Sequence, residues 1–169
     1  MTINTDEKLH GAAMLRLWVE LGSSLPNIHF SLSTGISRNS YSLHANLPKV
    51  FGKGETLSSG IFIKVSNSRR SPWNYNFSKE NQDEILSLKQ KYGEVFAIFV
   101  AGNDGFPCLD FDRLKEILDQ HHEDQERVSI TRNHRENYRI TGRDGDLERT
   151  LAPNTFPKTI LEYFKNGLR

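Results

Sequence analysis

Apolar residues recur with helical spacing near the start of the chain. Over residues 8–21 they cover a wide arc, while Arg16 and Glu20 share the remaining polar face. The pattern predicts a helix, in which we interpret Glu20 as the i,i+4 partner of Arg16 rather than as an active-site acid. Strand-like patterns follow at about residues 28–33, 40–46 and 61–65. The first part of the chain therefore predicts one helix followed by three strands.

The rest of the chain predicts helices and strands in alternation. Ser78 is a suitable helix N-cap and Gly93 a suitable helix end, whereas residues 95–101 are apolar on both faces, which is typical of a central strand. Residues 67–77 contain Pro72, and we predict an irregular segment there. The predicted elements are a helix at 78–92, a strand at 95–101, a helix at about 110–121, a hairpin at 127–131 and 138–141, and a helix at about 157–164.

This element order predicts an α/β (α+β) fold, with a central mixed β-sheet flanked by helices in three layers. A chain of 169 residues is expected to form a single domain, residues 1–169. Within it we expect a core at about 8–122, followed by the C-terminal hairpin and helix at about 127–165. The histidines and acids of residues 121–124 fit a helix end better than a metal site.

Composition places the protein among soluble globular chains. Hydrophobic residues make up 36% and aromatic residues 10%, and no apolar run is long enough to cross a bilayer. The single cysteine, Cys108, excludes an internal disulfide and is expected to be a packed thiol in a reducing compartment. The first ten residues are polar, so we expect no signal peptide. These features predict a cytoplasmic protein without a membrane partner.

The net charge of +1 conceals a segregation of charge along the chain. Residues 24–77 carry six basic side chains and one acid, residues 78–126 carry five basic and twelve acidic side chains, and residues 127–169 carry nine basic and five acidic ones. The basic segments can form a patch that attracts phosphates, or all three segments can form solvated faces that pair with one another. Both interpretations are open at this stage.

One lysine stands in the middle of an apolar strand pattern. Because side chains alternate along a strand, Phe62 and Lys64 lie on one face, opposite Ile61 and Ile63. A lysine that loses hydration needs a partner, a solvent-filled cleft or an anionic ligand. Lys64 is therefore the first candidate site residue.

A candidate recognition segment follows this strand directly. Arg69 and Arg70 can hold phosphates, and Trp73 can stack on a base. The other interpretation is a short edge strand that turns its aromatic residues into the core, and we favour it for Tyr75 and Phe77 but not for Trp73. The arginines of the terminal hairpin can extend the same groove or pair across the strands with neighbouring acids.

The order of elements and the position of Lys64 resemble the restriction-endonuclease-like superfamily, the PD-(D/E)XK nucleases. The motif of that family places an acid near the second strand, then an acid, any residue and a lysine on the third. Lys64 occupies the lysine place, but Phe62 stands where the acid is expected, and the preceding strand offers Ser40, Ser42 and His44. The resemblance covers about residues 8–122.

The resemblance implies a phosphodiester hydrolase, and defence against foreign DNA is common in the family. It implies Mg²⁺ as cofactor if the protein is catalytic, although the cofactor and its ligands stay unknown from these residues. Glu84 on the following helix is the candidate for a relocated carboxylate, and its other interpretation is an ordinary acid near a helix N-terminus. We expect His44 or Ser42 to lie beside Lys64.

Two hypotheses follow from these observations. The first is a nucleic-acid-binding domain, either a nuclease or a degenerate one, in which Lys64 contacts the phosphate, Arg69 and Arg70 position a DNA or RNA backbone, and Trp73 stacks. The second is a non-catalytic protein-interaction subunit, whose acidic residues 78–126 face a basic partner while Lys64 forms an internal ion pair.

Overall fold

The computed structural model describes residues 3–46, 56–118, 121 and 125–168. The helices are α1 (Thr5–Ser24), α2 (Lys79–Tyr92), α3 (Phe111–Ile117) and α4 (Thr155–Gly167). The strands are β1 (His29–Thr34), β2 (Ser40–Asn46), β3 (Thr56–Val65), β4 (Trp73–Ser78), β5 (Val95–Val100), β6 (Cys108–Asp110), β7 (Gln125–Thr131) and β8 (Arg139–Thr141). The α/β (α+β) class, with a mixed sheet and flanking helices, is confirmed.

The main sheet has five strands in the order β1-β2-β3-β5-β6. β1, β2 and β3 form an antiparallel meander, and β5 then pairs in parallel with β3 after the chain has passed through α2. The register joins Gly60 to Val95 and Val65 to Val100, so β3 and β5 end at the same edge of the sheet. The loops that follow these two strands therefore leave the sheet side by side.

A second sheet, which the sequence did not predict, has the order β4-β7-β8 and is antiparallel throughout. The predicted irregular segment at residues 67–77 is wrong in its second part, because β4 begins at Trp73, immediately after Pro72. Proline has no N–H to donate, and it stands just before the strand rather than within it. The predicted terminal hairpin is present as β7 and β8, and β4 completes it as a sheet.

Two hydrophobic clusters cover the two faces of the main sheet. One face carries residues such as Ile61 and Ile98 and packs against α1 and α4. The other carries residues such as Phe62 and Phe99 and packs against α2, α3 and the second sheet. All six residues of β5 are buried, as its apolar pattern predicted for a central strand.

The helix ends follow from local hydrogen bonds. Asn4 and Glu7 form a capping box at the start of α1, and Ser78 caps α2 as predicted. Gly93 ends α2 with φ of 78°, a conformation that glycine adopts without strain. Asp110 caps α3, but that helix ends at Ile117 rather than near residue 121.

Two further expectations can be compared with the described residues. Arg16 does not pair with Glu20: its guanidinium lies 6.0 Å from the Phe106 ring centre, and Glu20 Oε1 accepts from the Ser24 hydroxyl. Cys108 is fully buried, and burial raises the pKa of its thiol. Residues 47–55 of the connection before β3, and His122 to Asp124, lie outside the described residues. Among those described, no helix is both long and apolar enough to cross a membrane.

Gly60 allows α2 to approach the sheet closely. A Cβ at this position would lie 2.8 Å from the Leu88 Cβ and 3.2 Å from a Val95 methyl. We expect Gly60→Ala to lower the free energy of unfolding by about 1–3 kcal/mol in urea titrations, because the helix must shift. Gly11→Ala is the control: nothing lies within 4 Å of its added Cβ, and alanine favours a helix. Equal changes in the free energy of unfolding of the two variants would contradict a close contact between Gly60 and α2.

Candidate functional site

Lys64 is held by an amide and an aromatic ring. It is half-buried, and its Nζ donates to Asn81 Oδ1 at 2.7 Å and lies 5.1 Å from the Phe77 ring centre. The same Asn81 oxygen accepts from the Ser78 N–H, as part of the capping box of α2. Burial lowers the pKa of the Lys64 ammonium. The internal ion pair of the second hypothesis is not found among the described residues, where the partner of Lys64 is the Asn81 amide.

Glu84 lies one helical turn after Asn81, but its carboxylate serves another contact. Its Oε1 accepts from the Ser40 hydroxyl at 2.5 Å and from the Ser37 N–H at 2.9 Å. These two bonds attach α2 to the turn between β1 and β2. Glu84 therefore has a structural role, since it joins α2 to the β1–β2 turn. It forms no ion pair with Lys64 within the described part of the chain.

His44 does not lie beside Lys64. The antiparallel register places His44 opposite Ser58, which precedes Lys64 by six residues along β3. At about 3.3 Å per residue, the two positions are about 20 Å apart. His44 shares hydrogen bonds with the Ser58 and Ser42 hydroxyls, and its ring meets Tyr92 edge-on. The expected pairing of His44 or Ser42 with Lys64 is therefore wrong, because register depends on the whole ladder.

The residues around Lys64 do not fit a Mg²⁺ site. Magnesium prefers several hard oxygen ligands in octahedral geometry. Phe62 is fully buried in the core, and the Glu84 carboxylate already accepts two hydrogen bonds. In residues 3–46, 56–118, 121 and 125–168 there is no group of three or more His, Cys, Asp or Glu side chains that could hold a metal ion. The three residues predicted to be catalytic, Lys64, His44 and Glu84, are therefore not brought together in one site.

The predicted recognition residues, in contrast, do meet at one surface. The loop after β3, the turn after β5 and the loop between β7 and β8 surround an open cleft of about 670 Å³, which we name the basic cleft. Its lining residues are Arg69, Arg70, Ser71, Trp73, Asn103, Asp104, Arg132, Asn133 and His134. Two of its walls lie at the edge where the parallel strands β3 and β5 end, a common position for ligand sites in α/β sheets.

Hydrogen bonds fix the walls of the basic cleft to one another. Arg132 donates to Asp104 Oδ2 at 2.7 Å and, through its backbone N–H, to the Ser71 hydroxyl at 3.1 Å. Tyr138 donates to the same Asp104 oxygen at 2.6 Å. The Asp104 carboxylate raises the pKa of Arg132. This aspartate and arginine thus join the turn after β5 to the β7–β8 loop, and their charges compensate each other.

A glycine brings the remaining two walls together. Gly102 has φ of 53°, and a Cβ on it would lie 2.7 Å from the Arg69 carbonyl oxygen. A side chain there would be strained and would clash with the loop after β3. The backbones of both loops can therefore stay in contact, and the cleft has a fixed shape.

Arg69 and Arg70 carry the uncompensated charge of the cleft. Both side chains are exposed, and neither guanidinium has a hydrogen bond, ion pair or ring contact with the described residues. Since Asp104 is neutralised by Arg132, the two arginines leave the cleft with a net positive charge. Guanidinium groups present a planar fork of donors that matches phosphate oxygens.

Trp73 does not offer a stacking surface. It is only 3% exposed and meets the Tyr138 ring edge-on, with ring centres 6.3 Å apart. Its indole N–H is buried without a partner among the described residues. This burial does not fit the predicted role of Trp73 in base stacking, because Trp73 alternates into the core together with Tyr75 and Phe77. Trp73 forms the floor of the cleft instead.

Sequence reasoning missed how the terminal hairpin divides its arginines. Arg132 enters the basic cleft with His134, whereas Arg127 donates to Asn74 on the neighbouring strand. Arg135 and Arg139 line a separate, shallow cleft. The sequence showed only that the hairpin is basic. Which of its arginines lines the cleft depends on the position of Asp104, which binds Arg132.

Comparison of the chain with models of known protein families, with characterised proteins and with solved structures finds no match.

The lowered pKa of Lys64 predicts a pH dependence of stability. Between that lowered pKa and the ordinary value of 10.5, the unfolded chain binds more protons at this position than the folded protein. At neutral pH the folded protein therefore pays the full cost of burying the charged Lys64 ammonium. This cost is lost as the pH rises to about 10.5 and the buried amine becomes neutral. We expect the stability of the wild type relative to Lys64→Met to increase from pH 7 to pH 10.5 in urea titrations. Lys79→Met, an exposed control, should show no such trend, and a flat difference for Lys64→Met would contradict the account.

The burial of Trp73 predicts separate effects on stability and binding. Trp73→Phe removes an unpartnered donor and should change the free energy of unfolding by less than about 1.5 kcal/mol. Trp73→Ala should cost about 3–5 kcal/mol, because it leaves a cavity. In fluorescence anisotropy with an oligonucleotide, Trp73→Phe should bind within about twofold of the wild type. A tenfold or greater loss of affinity for the oligonucleotide would instead support stacking of Trp73 on a base.

Proposed function

We propose that this protein is a nucleic-acid-binding domain that holds phosphates in the basic cleft. The observation that carries the proposal is the pair Arg69 and Arg70, two exposed guanidinium groups that have no partner among the described residues and lie on a cleft whose walls are joined by hydrogen bonds. Fixed walls lower the ordering cost of binding, and unpaired arginines need no internal bond to be broken. Lys64 is not part of the lining and takes no role in this cleft.

The proposal includes a restriction-endonuclease-like core that has lost its catalytic site. Its support is the order of a helix, a three-stranded meander, a second helix and a parallel strand. Against cleavage stand the amide partner of Lys64, the engaged Glu84 and the distant His44. A cytoplasmic location is part of the same proposal and rests on the single reduced thiol of Cys108.

The lining of the cleft also determines what is recognised. Trp73, the only Phe, Tyr or Trp among the described lining residues, is buried, so an indole ring does not stack on bases here. Contacts to phosphates carry no sequence information. The protein should therefore bind DNA and RNA without sequence preference, and duplexes as well as single strands.

The acidic residues 78–126 do not favour a protein-interaction subunit. Several of the described acids in this segment already serve contacts within the protein. Glu94 pairs with Lys89 at 3.1 Å, Asp110 caps α3, and Asp104 holds Arg132. An acidic surface for a basic partner would need such carboxylates to be free.

The test is the salt dependence of oligonucleotide binding by fluorescence anisotropy. Each phosphate contact contributes about −0.9 to the slope of log K against log salt on duplex DNA. We expect Arg69→Ala/Arg70→Ala to reduce the slope by about 2 and to lower affinity at least about tenfold near 50 mM salt. The oligonucleotide should stay intact with Mg²⁺ or Mn²⁺.

The matched control is Arg38→Ala/Arg149→Ala, which removes the same charge from two exposed positions outside the cleft. It should change the slope by less than half as much. Absence of binding by the wild type at low salt, or equal effects of the two double variants, would overturn the proposal. Metal-dependent cleavage would overturn its non-catalytic part.

A further inference from the structure

The outer face of α1 is apolar and has no partner among the described residues. The inner side of the helix packs on the main sheet through residues such as Ala13, Leu17 and Leu21. On the opposite side, Leu15 is 65% exposed, Val19 61% and Trp18 46%. We define the outer face of α1 by its exposed residues Ala12, Leu15, Trp18, Val19 and Gly22.

This face is more than a scatter of exposed apolar residues. Positions 15, 18 and 19 are neighbours on a helix surface, since they are three and four residues apart. Six large hydrophobic side chains are exposed in the described part of the chain, and three of them lie here side by side. Contiguous exposed apolar patches mark interaction sites, whereas single exposed residues need no explanation.

The spacing of the outer face is symmetric along the helix. Leu15 and Val19 are equally distant from position 17, and so are Ala12 and Gly22. An antiparallel copy of the same helix would place Leu15 opposite Val19 of the second copy and Ala12 opposite Gly22 of the second copy. Ala12 and Gly22 add little bulk at the two ends of this face, so the larger side chains between them set the distance between the two helices, and nothing lies within 4 Å of a Cβ built on Gly22.

The charges beside the outer face agree with the same arrangement. Arg16 and Glu20 are both exposed on one flank of α1, and they do not pair with each other. In an antiparallel two-fold pair, this flank of one copy meets the same flank of the other. With the two-fold axis at position 17, Arg16 of one copy and Glu20 of the other are offset by two residues, about 3 Å along the helix axis. These long side chains span that offset and form two symmetric ion pairs. A parallel two-fold pair would instead turn this flank of each copy toward the opposite flank of the other, so Arg16 and Glu20 would not meet.

We propose that the outer face of α1 forms a two-fold, antiparallel interface between two copies of this chain. Such an interface uses the same patch on both subunits and closes at the dimer. None of its residues lines the basic cleft, so a dimer leaves two clefts open. The inference is independent of the proposed nucleic-acid binding, because its test measures molecular mass in the absence of nucleic acid.

The first experiment is sedimentation equilibrium of the full chain from about 1 to 200 µM, the range in which interfaces of modest area associate. The expected result is a concentration-dependent approach to twice the monomer mass. Leu15→Lys/Val19→Lys should be a monomer throughout with an unchanged thermal unfolding midpoint, because both side chains are exposed. Ile36→Lys is the control, since Ile36 is 87% exposed outside α1, and it should dimerise like the wild type.

The second experiment tests the antiparallel geometry by charge exchange. Arg16→Glu should weaken the dimer about tenfold or more, because it faces Glu20 of the other copy with a like charge. Arg16→Glu/Glu20→Arg restores opposite charges in both pairs and should recover most of the affinity, although the contact with Phe106 is still lost.

Three outcomes would overturn the inference. They are a wild type that stays monomeric at the highest concentration, a dimer that Leu15→Lys/Val19→Lys leaves intact, and an exchange variant that associates no better than Arg16→Glu alone. The last outcome would exclude the antiparallel register in particular.

Discussion

The structure depends on the complete burial of β5. All six of its side chains are buried, so both faces of the sheet must be covered at this strand. α1 and α4 cover one face, and α2, α3 and the second sheet cover the other. The second sheet takes part in covering that face, because the aromatic residues of β4 pack in the same buried cluster as Phe62 and Phe99. β4 pairs with β7 in the second sheet and not with the main sheet.

The same constraint determines what happens to the lysine in β3 and where a ligand can bind. On the face covered by α2 and β4, Lys64 meets an amide and a ring, which compensate only part of its lost hydration, since burial lowers its pKa. The parallel pairing of β3 and β5 then sends two loops out at one edge. The loop between β7 and β8 joins them through Arg132 and Asp104, and the basic cleft results from the meeting of the two sheets.

Local patterns predicted much of the fold. The bounds of β2, the capping of α2 by Ser78 and the central position of β5 all followed from side-chain spacing and capping residues. Long-range relations did not follow. The register that separates His44 from Lys64, and the pairing of β4 with a strand about fifty residues later, depend on tertiary contacts. Arg69 and Arg70 were predicted as phosphate contacts because they follow the strand directly, and that role remains a prediction. The cleft partners Asp104 and Arg132 are distant in sequence and left no local signal.

The central claim is that nucleic-acid phosphates bind in the basic cleft. The most direct measurement is NMR mapping, with backbone amide and arginine side-chain signals followed during titration of a short DNA duplex at low salt. The account predicts that perturbations concentrate in residues 69–71, 102–104 and 132–134, and that the Arg69 and Arg70 side-chain signals shift most. Saturable perturbations centred on Lys64 and Glu84 instead, or none at all, would contradict it.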